Sequence, residues 1–64
     1  MADGLLEYLS GEFNREIERI EGELALGGAK DYSEYKFLCG VVRGLRTANS
    51  IVMDIAKRVR EDDE

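Results

Sequence analysis

Leu6, Leu9, Phe13, Ile17, Ile20 and Leu24 recur every three or four residues along the first part of the chain. Their mean step is about 3.6 residues, the α-helical period, so the pattern predicts an amphipathic helix over residues 4–26. Asp3 is the expected N-cap. Gly27 or Gly28 is the expected left-handed C-cap, since glycine adopts that conformation without a steric penalty. Gly11 and Gly22 weaken this helix by about 1 kcal/mol each relative to alanine. Arg15 and Arg19 stand three or four residues from Glu12, Glu16, Glu18 and Glu23, which offsets part of that loss.

The strongest break in the pattern is "LGGAKD" at 26–31, in a chain that contains no proline. A hinge is therefore expected at 27–30. The following "DYSE" has the form of a capping box, with Asp31 as the cap and Glu34 at the third helical position. From there Leu38, Val41, Leu45, Ala48, Val52, Ile55 and Val59 alternate three and four residues apart. A seven-residue repeat of this kind favours left-handed, coiled-coil-like packing. The second helix is expected over residues 32–60, followed by an acidic tail at 61–64. The fold expected is all-α: a single-domain antiparallel helical hairpin, assembling into a four-helix bundle or a larger helical homo-oligomer.

Two features of the pattern ask for a partner. The apolar positions from Phe37 to Val59 span about half the circumference of the second helix, wider than one facing helix needs. If residue 4 lies opposite residue 54, Ile55, Ala56 and Val59 also project past the end of the first helix. Gly40, Gly44 and Ala48, spaced four apart, form a row of small residues along which another helix backbone could approach closely. The expected self-association surface is thus Leu38, Gly40, Val41, Gly44, Leu45, Ala48, Val52, Ile55 and Val59. The simplest closed form is a two-fold dimer of hairpins.

Composition narrows the chemistry. At 64 residues a single core is marginal, and small domains of this size usually rely on disulfides, a metal or another chain. Cys39 has no second cysteine to pair with and there is no histidine, which argues against a disulfide staple and a structural zinc site. The missing histidine also removes the ordinary acid–base group near neutral pH and the usual partner of a nucleophilic thiol. Cys39 reads best as a small interface hydrophobe. Glu12 and Glu16 are paired carboxylates on one face, but di-metal sites in bundles usually include histidine. No cofactor and no enzymatic activity are expected. No run approaches the eighteen or so apolar residues of a membrane span, so no membrane partner is expected either.

Charge is unevenly placed. Residues 1–28 hold seven acids and two arginines, residues 29–60 hold seven basic residues and three acids, and "EDDE" closes the chain, for a net charge of −5. Opposite halves favour laying the first helix on the second, although two solvated faces of opposite sign would give the same pattern. A second surface of the second helix groups Tyr32, Tyr35, Cys39, Arg43, Arg46, Ser50, Met53 and Lys57. Tyrosine, arginine and methionine are enriched at protein interfaces. Thr47, Asn49 and Ser50 are poor helix formers placed mid-helix, an inconsistency that can mark a contact.

The run "GGAKDYSEYKFLCGVVRGL" resembles small helical proteins encoded by tailed bacteriophages. They share the Ala29–Asp31 hinge, Glu34 with Tyr35, Leu38–Gly40, and Arg43 followed by Gly44 and Leu45. The resemblance implies a viral origin and a bacterial host, with no chemistry attached, and places the protein in the host cytoplasm or the virion. In length and hairpin layout the chain is also similar to Rop, the plasmid RNA-binding hairpin dimer, without a shared recognition motif. Three functions are open at this point. One is a virion structural or assembly accessory acting through helix packing, with itself and another phage protein as partners. Another is an inhibitor that binds a host bacterial enzyme. The third is a Rop-like RNA or DNA adaptor using Arg43, Arg46, Lys57, Arg58 and Arg60.

Overall fold

The computed structural model describes residues 2–62, with side chains described from Gly4 onward. It contains two helices, α1 (Ala2–Ala25) and α2 (Tyr32–Asp62), packed against each other. Cross-helix contacts run from Glu21–Arg46 through Asn14–Asn49 to Glu7–Arg60, so the helices are antiparallel. The hairpin is a rod of 50 × 14 × 12 Å. A helix rises about 1.5 Å per residue, so α2 alone accounts for nearly that whole length.

α1 ends where the glycines demand it. Gly27 is in the left-handed region at φ 77°. The Gly28 N–H donates to the Glu23 carbonyl at 2.7 Å and the Gly27 N–H to the Leu24 carbonyl at 3.1 Å. This pair of bonds is the Schellman arrangement, which satisfies carbonyls that the last helical turn leaves unpaired. A Cβ on Gly28 would lie 2.8 Å from the Glu23 carbonyl oxygen, so this position is closed to side chains as well.

α2 begins at its cap. Asp31 Oδ1 accepts the Glu34 N–H at 2.8 Å, and Glu34 Oε2 accepts the Lys30 N–H at 3.2 Å. The box is therefore shifted: Glu34 reaches the residue before the cap, not the cap itself. The outer boundaries also differ from expectation. Asp3 is inside the first turn of α1, because nothing around Ala2 interrupts helical backbone, and it is not an N-cap. At the other end Glu61 and Asp62 continue α2, since no proline or glycine stops it; Asp63 and Glu64 of the expected tail lie outside the described residues.

The core is narrow. Ile17, Ile20 and Val42 are buried together, with Leu24, Leu38, Val41 and Leu45 packed partly against them. Towards the open end Ser10 and Ala56 are buried, Ala56 to 1% exposure. Among the buried and half-buried positions one seven-residue repeat runs along each helix: Leu6, Ser10, Phe13, Ile17, Ile20 and Leu24 on α1, and Leu38, Val42, Leu45, Asn49, Val52, Ala56 and Val59 on α2, with Val41 and Ala48 half-buried beside it. Leu9, expected in the core, is displaced by Ser10 and is 37% exposed. Small Ser10 and Ala56 let the helices approach closely where leucine would hold them apart.

The expected overhang at the end of α2 is not there. Ala56 is buried, Val59 is half-buried, and Glu7 reaches Arg60, so α1 runs alongside α2 to its final turns. The cross-helix pairs instead put the surplus length of α2 at the hinge, where its first turn passes the end of α1. The connection from Leu26 to Asp31 spends its length along the rod axis, which slides the two helices relative to a symmetric hairpin.

Candidate functional site

The two flanks of the α1–α2 seam are chemically different. Residues one place after the seam positions meet on one flank: Glu7 and Glu21 of α1 face Arg60 and Arg46 of α2. Residues one place before the seam positions share the other flank: Leu9, Glu16 and Glu23 of α1, with Val41, Ala48 and Ile55 of α2. This division is the ordinary consequence of antiparallel seven-residue repeats.

On the second flank α2 carries a second unbroken apolar row, Phe37, Val41, Gly44, Ala48, Ile51 and Ile55, spaced alternately four and three apart. Val41 is partly covered by the core, but the row's three other large members are left open by the described residues. Phe37 is 68% exposed, Ile51 56% and Ile55 42%. At about 100° per residue, this row lies roughly a third of a turn from the seam that meets α1. The wide apolar stripe of the sequence is therefore two adjacent seams, only one of which the hairpin uses. Leu38, Leu45, Val52 and Val59 from the expected self-association set belong to the seam that packs on α1. Gly44 and Ile55 belong to the open row, which half-buried Val41 and Ala48 share along its edge with the core.

Both glycines of α2 are on the open side of the helix. A Cβ placed on Gly44 or Gly40 would meet no described atom within 4 Å, so neither glycine is required by packing within the hairpin. Gly44 lies in the centre of the open row, and Gly40, one turn before it, lies along the row's outer edge. On the α1 side of this flank, Leu5 and exposed Leu9 stand near the open end. Nearer the hinge are ion pairs of Arg15 with Glu12 at 2.7 Å and of Arg19 with Glu16 and Glu23, both at 2.7 Å. Arg19 holds the Glu16 carboxyl below its ordinary range, through a hydrogen bond and then charge. Glu12 and Glu16 thus face arginines, which leaves little reason for a shared cation.

The other flank and outer face of α2 hold the Tyr–Arg–Met surface. Tyr32 and Tyr35 stack at 6.2 Å between ring centroids, with Lys36 Nζ 6.0 Å from the Tyr32 ring. They stand on the part of α2 that passes the end of α1. The Cys39 thiol one turn on raises the Tyr35 phenol above its ordinary pKa, first by hydrogen bonding. Cys39 itself is half-buried. Arg43, Ser50, Met53 and Lys57 are exposed along the same side, but Arg46 is committed to Glu21.

The mid-helix run has a structural account that sequence reasoning assigned to contact alone. Thr47 Oγ1 donates back to the Arg43 carbonyl at 3.0 Å. Asn49 sits in the seam against Asn14, its Nδ2 3.4 Å from Asn14 Oδ1, while Asn49 Oδ1 is buried with no partner among the described residues. A lone amide in an otherwise apolar repeat is a register device. Its signal was the seven-residue spacing from Val42 through Asn49 to Ala56. No helix among the described residues is long and apolar enough to cross a membrane. No family model matches the chain, and no match was found among curated proteins or solved structures.

Proposed function

We propose that this is a non-enzymatic interaction protein of phage type, a virion structural or assembly accessory that acts by helix packing. The observation that supports the reading best is the open row on α2. A rod with three large apolar side chains of one row left at 42% exposure or more has surface to spare for another helix. The charged groups are used for fastening: five arginine–glutamate contacts are made within and between the helices. The Tyr32–Tyr35 stack, with Met53 and Lys57 further along, then serves as the surface for a larger protein.

The nucleic-acid reading loses ground for a specific reason. Of the five basic residues it needs, Arg46 and Arg60 are paired with glutamates of α1. Binding that depends on phosphate contacts should fall steeply with salt. The test of the proposal is mass spectrometry of gradient-purified particles from cells producing the protein during infection. Recovery at constant stoichiometry with the structural proteins is the expected result. Abundance in the infected cell with absence from the particle would overturn the virion role and favour a host-directed one.

A further inference from the structure

We infer that the open row of α2 is a self-complementary seam, and that its occupant is α2 of a second copy, antiparallel, about a two-fold axis at the level of Arg46. The inference rests on the packing role proposed above and specifies the partner of that surface. Its basis is the order of residues along the row. The apolar members are Phe37, Val41, Gly44, Ala48, Ile51 and Ile55, and one further step each way adds Glu34 and Arg58.

Reflected about Arg46, every member meets a suitable one. Phe37 falls opposite Ile55 of the second copy, Val41 opposite Ile51, and Gly44 opposite Ala48. At both ends Glu34 falls opposite Arg58. A two-fold interface must be complementary to itself in this way. The middle is small and the ends are large, so two α2 helices can come close at the axis while the bulky pairs close over it. The charges agree with the same register: a parallel pairing would set Glu34 on Glu34 and Arg58 on Arg58. Arg58 makes no ion pair among the described residues, and Glu34 uses only Oε2 in its contact with Lys30.

The geometry of the closed form follows. The row lies roughly a third of a turn from the seam with α1, so the second α2 stands nearly at right angles to α1 around the shared helix. A two-fold axis through the α2 pair then brings the two α1 helices side by side. The product is a closed four-helix bundle. Exposed Leu5 and Leu9 lie on the flank that this closure covers.

The test uses the full chain. Light scattering on a micromolar dilution series should give a dimer. Gly44→Leu and Ile51→Glu should each give a monomer with unchanged helical circular dichroism. That readout is fair because a Cβ on Gly44 meets no described atom and Ile51 is exposed, so neither change disturbs the hairpin. Arg58→Glu removes the pair at both ends and should raise the dissociation constant about two- to thirtyfold, the scale of two exposed ion pairs.

Register is read by cross-linking in a Cys39→Ser background. The double variant Val41→Cys with Ile51→Cys should oxidise to a covalent dimer. Neither single variant should, because equivalent residues ten places apart across the axis are separated by about 15 Å along the helices. Cross-linking by either single variant would overturn the antiparallel register. A wild-type monomer, or a dimer unchanged by Gly44→Leu, would overturn the seam. Neither failure bears on whether the protein is found in particles, so the functional proposal is tested separately.

Discussion

Gly27 and Gly28 fix where the chain turns, by different means. Gly27 carries a φ of 77°, and Gly28 is held by the approach of the Glu23 carbonyl. Gly27→Ala should lower stability by about 1–2 kcal/mol, the cost of placing an L side chain in the left-handed region. Thermal unfolding at fixed protein concentration measures it, and an unchanged midpoint would show that the turn relaxes freely. Asn49 is the opposite kind of residue, tolerated at a cost. Its buried Oδ1 has no partner among the described residues, and a buried unsatisfied acceptor costs about 1–3 kcal/mol. Asn49→Leu should therefore stabilise the hairpin by an amount on that scale. The compensating loss is of register, visible as a broadened amide spectrum by NMR despite the higher melting temperature. A destabilised Asn49→Leu would mean that the contact with Asn14 outweighs the orphaned oxygen.

Between the helices, the caps and ion pairs divide the work of stabilising each one. Asp31 Oδ1 holds the Glu34 N–H, so Asp31→Ala should lower stability by about 1 kcal/mol, with hydrogen exchange rising first in the opening turn of α2. α1 has its ion-pair network instead. Glu16 has a folded-state pKa below its ordinary value of 4.5, so its contribution is fully present above that pH and is lost as the pH falls through the folded value. Acid titration followed by circular dichroism should show helicity declining below about pH 4.5, and Arg19→Ala should cost helicity at neutral pH but little at pH 2. Equal effects at both pH values would remove the ion pairs from the account.

Much of this level was legible in the sequence. Period, hinge, cap and the arginine–glutamate spacings all act between residues close in the chain, and the helices follow from them. What pattern alone could not decide was rotation. Leu38, Leu45, Val52 and Val59 fit two repeats equally, one completed by Val41, Ala48 and Ile55 and the other by Val42, Asn49 and Ala56. Ranking by hydrophobicity selects the first. The hairpin uses the second, because small Ser10 and Ala56 permit close approach and Asn49 finds Asn14. Axial offset was illegible for a similar reason: it depends on how far the Leu26–Asp31 segment travels along the rod, and no residue type encodes that distance.

For the whole molecule, the same ambiguity becomes the basis of the proposed function. One helix bears two repeats side by side, and a single α1 satisfies only one of them. The surplus that composition suggested is thus confined to a definite row, with charges at its ends and small residues at its centre. The Tyr32–Tyr35 stack stands outside both repeats, at the end of the rod. A dimer built on the open row would carry two such stacks, one towards each end and related by the two-fold axis, and could bridge two equivalent sites about 40 Å apart along the rod. The proposed surfaces lie on faces that pattern located, whereas their separation into distinct roles required the rotation of α2 against α1.

The turn at Gly27 and Gly28 has a topological consequence. With no proline in the chain, these two residues and the short stretch after them are all that stops α1 from running on into α2. Alanine at both would favour one continuous helix, and α1 could then no longer fold back on its own α2. Every seam contact would still be available from a neighbouring molecule. The double variant should therefore exchange α1 between chains and emerge as an intertwined oligomer of native helicity, a domain swap instead of a denatured protein.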